Sequence, residues 1–166
     1  DPQKQPPALR QADGQQPEAG HRHRQHQRAE GRSFQDDAGR QAALSLGAAA
    51  SYRRCDVTIE AEVDTAVREA AERMGGLNLS VSCAGVATPG KLLGKDGPLS
   101  QSAFQRVMNI NVLGTFLQDR AAAAIMQSNA PDADGERGLL IHTASVAAFE
   151  GQIGQVAYTA AKAGIT

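Results

Sequence analysis

Apolar positions along this chain fall into periodic runs only beyond residue 33. From Asp1 to Ser33 the one large apolar side chain is Leu9, set among Gln, Arg, His, Pro, Ala and Gly. Neither the strand nor the helix period emerges there, so no face is available to bury. The first 35 residues are therefore expected to be disordered or to be an out-of-frame segment, and residues 36–166 to form a domain. "DDAGRQAALSLG", Asp36 to Gly47, has acids in its first turn, an Ala/Leu interior and a glycine at its exit, which reads as a helix. Ser51 to Val57 reads as a short strand running into a loop. Ile59 to Met74 is amphipathic, with Val63, Val67, Ala70, Ala71 and Met74 on one stripe. Leu77 to Gly85 reads as a strand opening into small residues. A polar loop follows, then Pro98-Leu99-Ser100 and a long helix from Ser102 to Gln127. Gly138 to Ser145 is the next strand, and a helix should start near Gln155. Strands alternating with long helices need parallel crossovers. The expected fold is α/β, a Rossmann-like doubly wound parallel sheet, incomplete at both ends.

Composition narrows the function classes. A formal net charge of -1 with 21% charged residues gives no basic excess for nucleic acid or an acidic membrane surface. No apolar run approaches the roughly 18 residues of a membrane span, and no signal peptide is visible at the start of the sequence. Cys55 and Cys83 lack CxxC spacing and read as reduced thiols of a cytoplasmic protein. His21, His23 and His26 in "HRHRQH" read as solvated polar residues, so no metal site is expected.

The residues that could do chemistry lie towards the end of the chain. Tyr158 and Lys162 stand four apart, on one face of the helix near Gln155. A phenol is a poor acid-base catalyst near neutrality, and an adjacent cation favours its ionised form. Ser145 ends a strand, where doubly wound sheets bind ligands, and its hydroxyl could hold a substrate oxygen. Alone, a Tyr-x-x-x-Lys pair reads as surface decoration. It does not stand alone. Asn111 in "NINVLGTF" puts a polar amide inside a helix, where it must find partners. Asp56 in "CDVT" follows a strand and reads either as a ligand contact or as a helix cap. Cys83, Ala84 and Gly85 close the next strand with side chains small enough for a ligand to approach the backbone.

In that order and spacing the chain from Asp36 to Thr166 resembles the short-chain dehydrogenase/reductase family. Asp56 precedes Cys83 by 27 positions and Ser145 precedes Tyr158 by 13, as the family's pattern has them. "VSCAGVA" stands where the family has Asn-Asn-Ala-Gly, with Ser82 and Cys83 as the departures. Cys in the second place, and the stretch from Ser128 to Gly164, most resemble the family's type 2 3-hydroxyacyl-CoA dehydrogenase branch. The resemblance implies that Tyr158 is the catalytic acid/base, that Lys162 promotes its ionised form and holds the nicotinamide ribose, and that Ser145 orients the substrate oxygen. It implies that Asn111 supports a water linking Lys162 to solvent. Asp56 and Val57 would face the adenine, Cys83, Ala84 and Gly85 would admit the adenosine half, and Gln152 and Gln155 would rim the substrate pocket. The cofactor implied is NAD, with NADP left open. The reaction is hydride transfer between it and a secondary alcohol or ketone, here a 3-hydroxyacyl-CoA and its 3-oxo form. The family's assembly would be a homodimer or homotetramer.

Two family features have no counterpart. No Thr-Gly-x-x-x-Gly-x-Gly turn occurs, and Gly14, Gly20 and Gly31 do not have its spacing. The substrate lid would lie beyond Thr166. On that ground the 166 residues are expected not to hold NAD productively. Rival readings are a 3-oxoacyl-thioester reductase or hydroxysteroid dehydrogenase of the same family, and an inactive fragment that keeps the middle of the fold as an interaction surface.

Overall fold

The computed structural model describes residues 36–166, so the readings of Leu9, His21, His23 and His26 lie outside the described residues. The chain divides into two compact units between Arg53 and Arg54. In the first, residues 36–46 are helical (α1), as the acid-then-Ala/Leu pattern predicts, and Gly47 leaves the helix at φ 85°. The Tyr52 hydroxyl donates to Asp36 at 2.9 Å.

The second unit is an α/β assembly. Helix α2 spans Glu60–Met74, with Glu60 and Glu62 in its first turn and Gly75 closing it in the left-handed region at φ 74°. The Gly76 amide reaches back to the Ala71 carbonyl at 2.9 Å, satisfying a helix-end acceptor. Strand β1 is Leu79–Ser82 and strand β4 Leu139–His142; they pair in parallel, Leu79 opposite Leu139 and Ser82 opposite His142. Between them run a short antiparallel hairpin, β2 (Leu93–Gly94) with β3 (Gly97–Pro98), then α3 (Gln101–Met108), a π-helical turn (Asn109–Leu113) and α4 (Gly114–Met126). A one-turn helix, α5 (Ala147–Glu150), precedes α6 (Val156–Ala163).

Two apolar clusters hold these elements. Ala71, Leu77, Ala122 and Met126 pack α2 and α4 together, with Leu140 against them. Val107, Ala157 and Ala161 join α3 to α6, with Val86, Phe104, Met108 and Val112 around them. Small residues at the helix contacts allow close axes, so cluster size rather than large side chains supplies the burial. One face of the sheet meets α4, where Gln118 donates to the Ser80 hydroxyl at 2.9 Å and His142 pairs with Asp119 at 2.9 Å. The alternate residues Leu79, Val81, Leu139 and Ile141 form the other, exposed face.

The structure differs from expectation in detail. Among the described residues, 51–56 carry no strand. Met74 is 64% exposed rather than part of the buried stripe, since α2 ends at it and the chain turns away at Gly75. The long helix exists over residues 101–126 but is broken in style by the π turn, whose signature is the Gly114 amide bonding the Asn109 carbonyl. The hairpin falls in the stretch expected to be a polar loop, and α5 precedes the helix expected near Gln155.

Candidate active site

The site is assembled at the carboxyl ends of β1 and β4. Past Ser82 the chain runs through Cys83, Ala84 and Gly85, all exposed, and then meets Asn111. That side chain is fully buried. Its Oδ1 accepts the Val86 amide at 2.8 Å and its Nδ2 donates to the Val86 carbonyl at 3.0 Å. The polar amide that a helix interior disfavours is thus consumed as a two-bond clamp on the strand's exit. The π turn carries it: one extra residue in the turn rotates the helix face, and Thr115 donates its hydroxyl to the Asn111 carbonyl at 2.8 Å.

Tyr158 and Lys162 lie one turn apart on α6, as their spacing requires. The Lys162 ammonium is 5.7 Å from the Tyr158 ring centroid, within cation–π range, and its side chain is buried. It donates to the Thr143 carbonyl, just past the end of β4. A buried ammonium needs such an acceptor, and with one of its three protons placed it keeps donors for another ligand. Gly85 completes the cradle. A Cβ there would stand 3.5 Å from Asn111 Oδ1 and 3.9 Å from Lys162 Nζ, filling the space above both.

Ser145 is half-buried, and its hydroxyl oxygen accepts the Ala147 amide at 3.2 Å, at the start of α5. That leaves its proton and a lone pair for a second partner. Asp56 shapes the turn ahead of α2: its Oδ1 accepts the amide and hydroxyl of Thr58 at 3.0 and 2.7 Å. Its own amide donates to Glu62 at 2.8 Å, closing the turn that leads into α2. Val57 packs on α4, where a Cβ on Gly114 would be 2.8 Å from its Cγ2. Gln152 is exposed and its carbonyl accepts the Gln155 amide at 3.0 Å. Gln155 bridges to Gly90, while its buried Oε1 has no hydrogen-bond partner in the structure.

The structure therefore brings Gly85, Asn111, Tyr158 and Lys162 into one cluster. Sequence reasoning missed Thr143 and Val86, which act through backbone groups that no side-chain motif encodes. A nicotinamide dinucleotide fits what is present. The Cβ-free cradle at Gly85 admits a flat polar group, and the spare Lys162 protons suit ribose hydroxyls. Among the described residues no helix is long and apolar enough to cross a membrane.

Comparison with known proteins shows the family. A family model described as short chain dehydrogenase matches residues 31–166. A Bos taurus protein named 3-hydroxyacyl-CoA dehydrogenase type-2 is 46% identical over 125 residues, covering 74% of this chain and 48% of its own. Its Drosophila melanogaster namesake is 44% identical over 129 residues, covering 76% of this chain and 51% of its own. The chain thus spans about half the length of these relatives. The crystal structure of 3-hydroxyacyl-CoA dehydrogenase type-2 from Mycobacterium avium superposes with a TM-score of 0.72 at 37% identity, covering 78% of this chain and 51% of that one. The parallel β1–β4 pair, the Tyr158–Lys162 turn over Gly85 and the match across residues 31–166 lead to one conclusion: this chain belongs to the short-chain dehydrogenase family.

Proposed function

We propose that this chain carries the catalytic half of an NAD(P)-dependent oxidoreductase that interconverts a 3-hydroxyacyl-CoA and its 3-oxo form. The observation that carries it is the buried Lys162 ammonium, held between the Tyr158 ring and the Thr143 carbonyl beside the Gly85 opening. The acyl-CoA substrate rests on relatives named 3-hydroxyacyl-CoA dehydrogenase type-2, and NAD is the cofactor that the family resemblance implies, with NADP left open. Assembly as a homodimer or homotetramer and a cytoplasmic setting belong to the same proposal, as does the division of the chain near residue 36 into a leading segment and a partial dehydrogenase domain.

The residues divide the work as follows. When bound, the nicotinamide ring supplies hydride acceptance or donation. Lys162 holds the ribose through its spare protons and sets a positive charge beside the phenol. Tyr158 takes the hydroxyl proton in oxidation and returns it in reduction. Ser145 donates to the substrate oxygen and holds it for that transfer. Asn111 keeps Val86, and with it the Gly85 opening, in place. Cys83 and Ala84 line the cofactor side, and Gln152 and Gln155 stand at the substrate rim. Asp56 and Val57, at the turn before α2, would meet the adenine end.

The test is nicotinamide reduction by the protein with a short 3-hydroxyacyl-CoA, comparing wild type with Tyr158→Phe and Lys162→Ala. Turnover in the wild type and its loss in both variants supports the proposal. It would also overturn the expectation that these 166 residues do not hold NAD productively. Where turnover is too slow to follow, protection of Lys162 from acetylation by added NAD reports the same contact. The absence of both turnover and protection would sink the reading.

A further inference from the structure

Thr143 is tied in three directions at once. Its amide donates to the Ser82 carbonyl at 3.1 Å, extending the β1–β4 ladder by one rung. Its hydroxyl donates to Cys83 Sγ at 3.4 Å, across to the neighbouring strand's exit. Its carbonyl accepts the Lys162 ammonium. Past His142 the regular strand has ended, so nothing in the sheet's own ladder fixes the plane of that last carbonyl. A peptide plane at a strand end turns freely unless the flanking groups are held. Here the amide is held on one side and the side chain on the other.

We propose that Thr143 is a positioning residue of this site. On this inference the Thr143–Cys83 hydrogen bond fixes the carbonyl that aims the Lys162 ammonium at Tyr158 and the Gly85 opening. Removing the hydroxyl leaves the carbonyl in the chain but frees its direction. The ammonium then loses a fixed acceptor and spends part of its time away from the buried position. The thiol's part is that of acceptor only, a role a serine oxygen fills equally well. The catalytic sense of the inference rests on the dehydrogenase reading above, whereas the tether itself does not.

The chain makes this measurable without turnover. It contains four lysines, Lys4, Lys91, Lys95 and Lys162, of which Lys91 and Lys95 are exposed and serve as internal standards. The intact protein is acetylated with a limiting amine-reactive ester, and each lysine's rate is read by peptide mass spectrometry. A sulfur-accepted hydrogen bond is weak, so Thr143→Val should speed Lys162 modification by about three- to ten-fold relative to Lys91 and Lys95. Thr143→Ser, which keeps the hydroxyl, should restore the wild-type rate. Cys83→Ala should match Thr143→Val, Cys83→Ser should match wild type, and the double variant Thr143→Val/Cys83→Ala should add nothing further. A general loss of packing would instead leave the serine variants without effect as rescues and make the two alanine and valine changes additive. Because Cys83 is exposed, its variants test the tether even where Thr143→Val folds poorly. Unchanged Lys162 reactivity in both Thr143→Val and Cys83→Ala overturns the inference while leaving the dehydrogenase proposal standing. The expected labelling pattern, in a protein that neither turns over nor is protected by NAD, leaves the tether and removes the enzyme.

Discussion

Replacing Asn111 separates a residue that holds the site together from one that merely lines it. Its amide is fully buried and makes two hydrogen bonds to Val86, at 2.8 and 3.0 Å. Asn111→Ala strands both Val86 backbone groups. Each orphaned buried group costs about 1–3 kcal/mol, and the lower half of that range applies because Val86 is only partly buried. Two such groups amount to about 2.5 kcal/mol. Alanine's better helix propensity returns about 0.5 kcal/mol, leaving a net loss of about 2 kcal/mol. Urea denaturation followed by far-ultraviolet circular dichroism measures it, and amide hydrogen exchange at Val86 localises it, where about 2 kcal/mol corresponds to about 30-fold faster exchange. The near-isosteric Asn111→Asp should be worse than alanine. It keeps an acceptor for the Val86 amide, but sets a carboxylate oxygen against the Val86 carbonyl and buries a charge. A loss below about 0.5 kcal/mol for Asn111→Ala, with Val86 exchange unchanged, would refute the clamp. So would an aspartate variant as stable as wild type.

Gly114→Ala should destabilise by about 1–3 kcal/mol, read as a lower urea midpoint, because the new Cβ lands 2.8 Å from Val57 Cγ2 with backbone close behind. Gly85→Ala meets no protein atom closer than 3.5 Å, so it should leave the midpoint unchanged while weakening nicotinamide-dependent protection of Lys162. Arg120 bonds Glu60 and Asp64 from α4 across to α2, and these hydrogen bonds, Glu60's first, raise its pKa. A raised cationic pKa contributes stability fully at every pH below the ordinary arginine value, losing it only above that. Salt rather than alkali is therefore the probe, and the effect of Arg120→Ala on the urea midpoint should shrink as ionic strength rises.

Much of the fold was legible because periodicity reports burial. The stripe of α2 and the Tyr158 helix each carried a pattern that one face had to bury, and each formed, while β1 and β4 formed with their alternate apolar residues on the exposed face. Legibility failed where structure depends on a distant partner. Residues 51–56 have strand-like composition yet carry no strand among the described residues, and Met74 keeps the stripe's period at the helix's last residue, where it is exposed. The hairpin β2–β3 is two rungs long, too short for any period to show. In the site, Asn111 announced itself as a misplaced amide, but its partner did not: Val86 contributes only its peptide groups. Asp56 stood out by its position, and its contacts with Thr58 and Glu62 shape the turn before α2.

Tyr158, Lys162, Ser145 and Asn111 were picked out as candidates by order and spacing, because an i, i+4 pair shares one helix face and a hydroxyl past a strand end lies where such sheets bind ligands. The π turn at Asn109–Leu113, the Thr143 carbonyl beneath Lys162 and the opening over Gly85 were decided only when the chain folded. Each depends on a backbone group meeting a side chain from elsewhere in the sequence. Backbone groups are the same in every residue, so their partners are chosen by packing and leave no mark on the sequence.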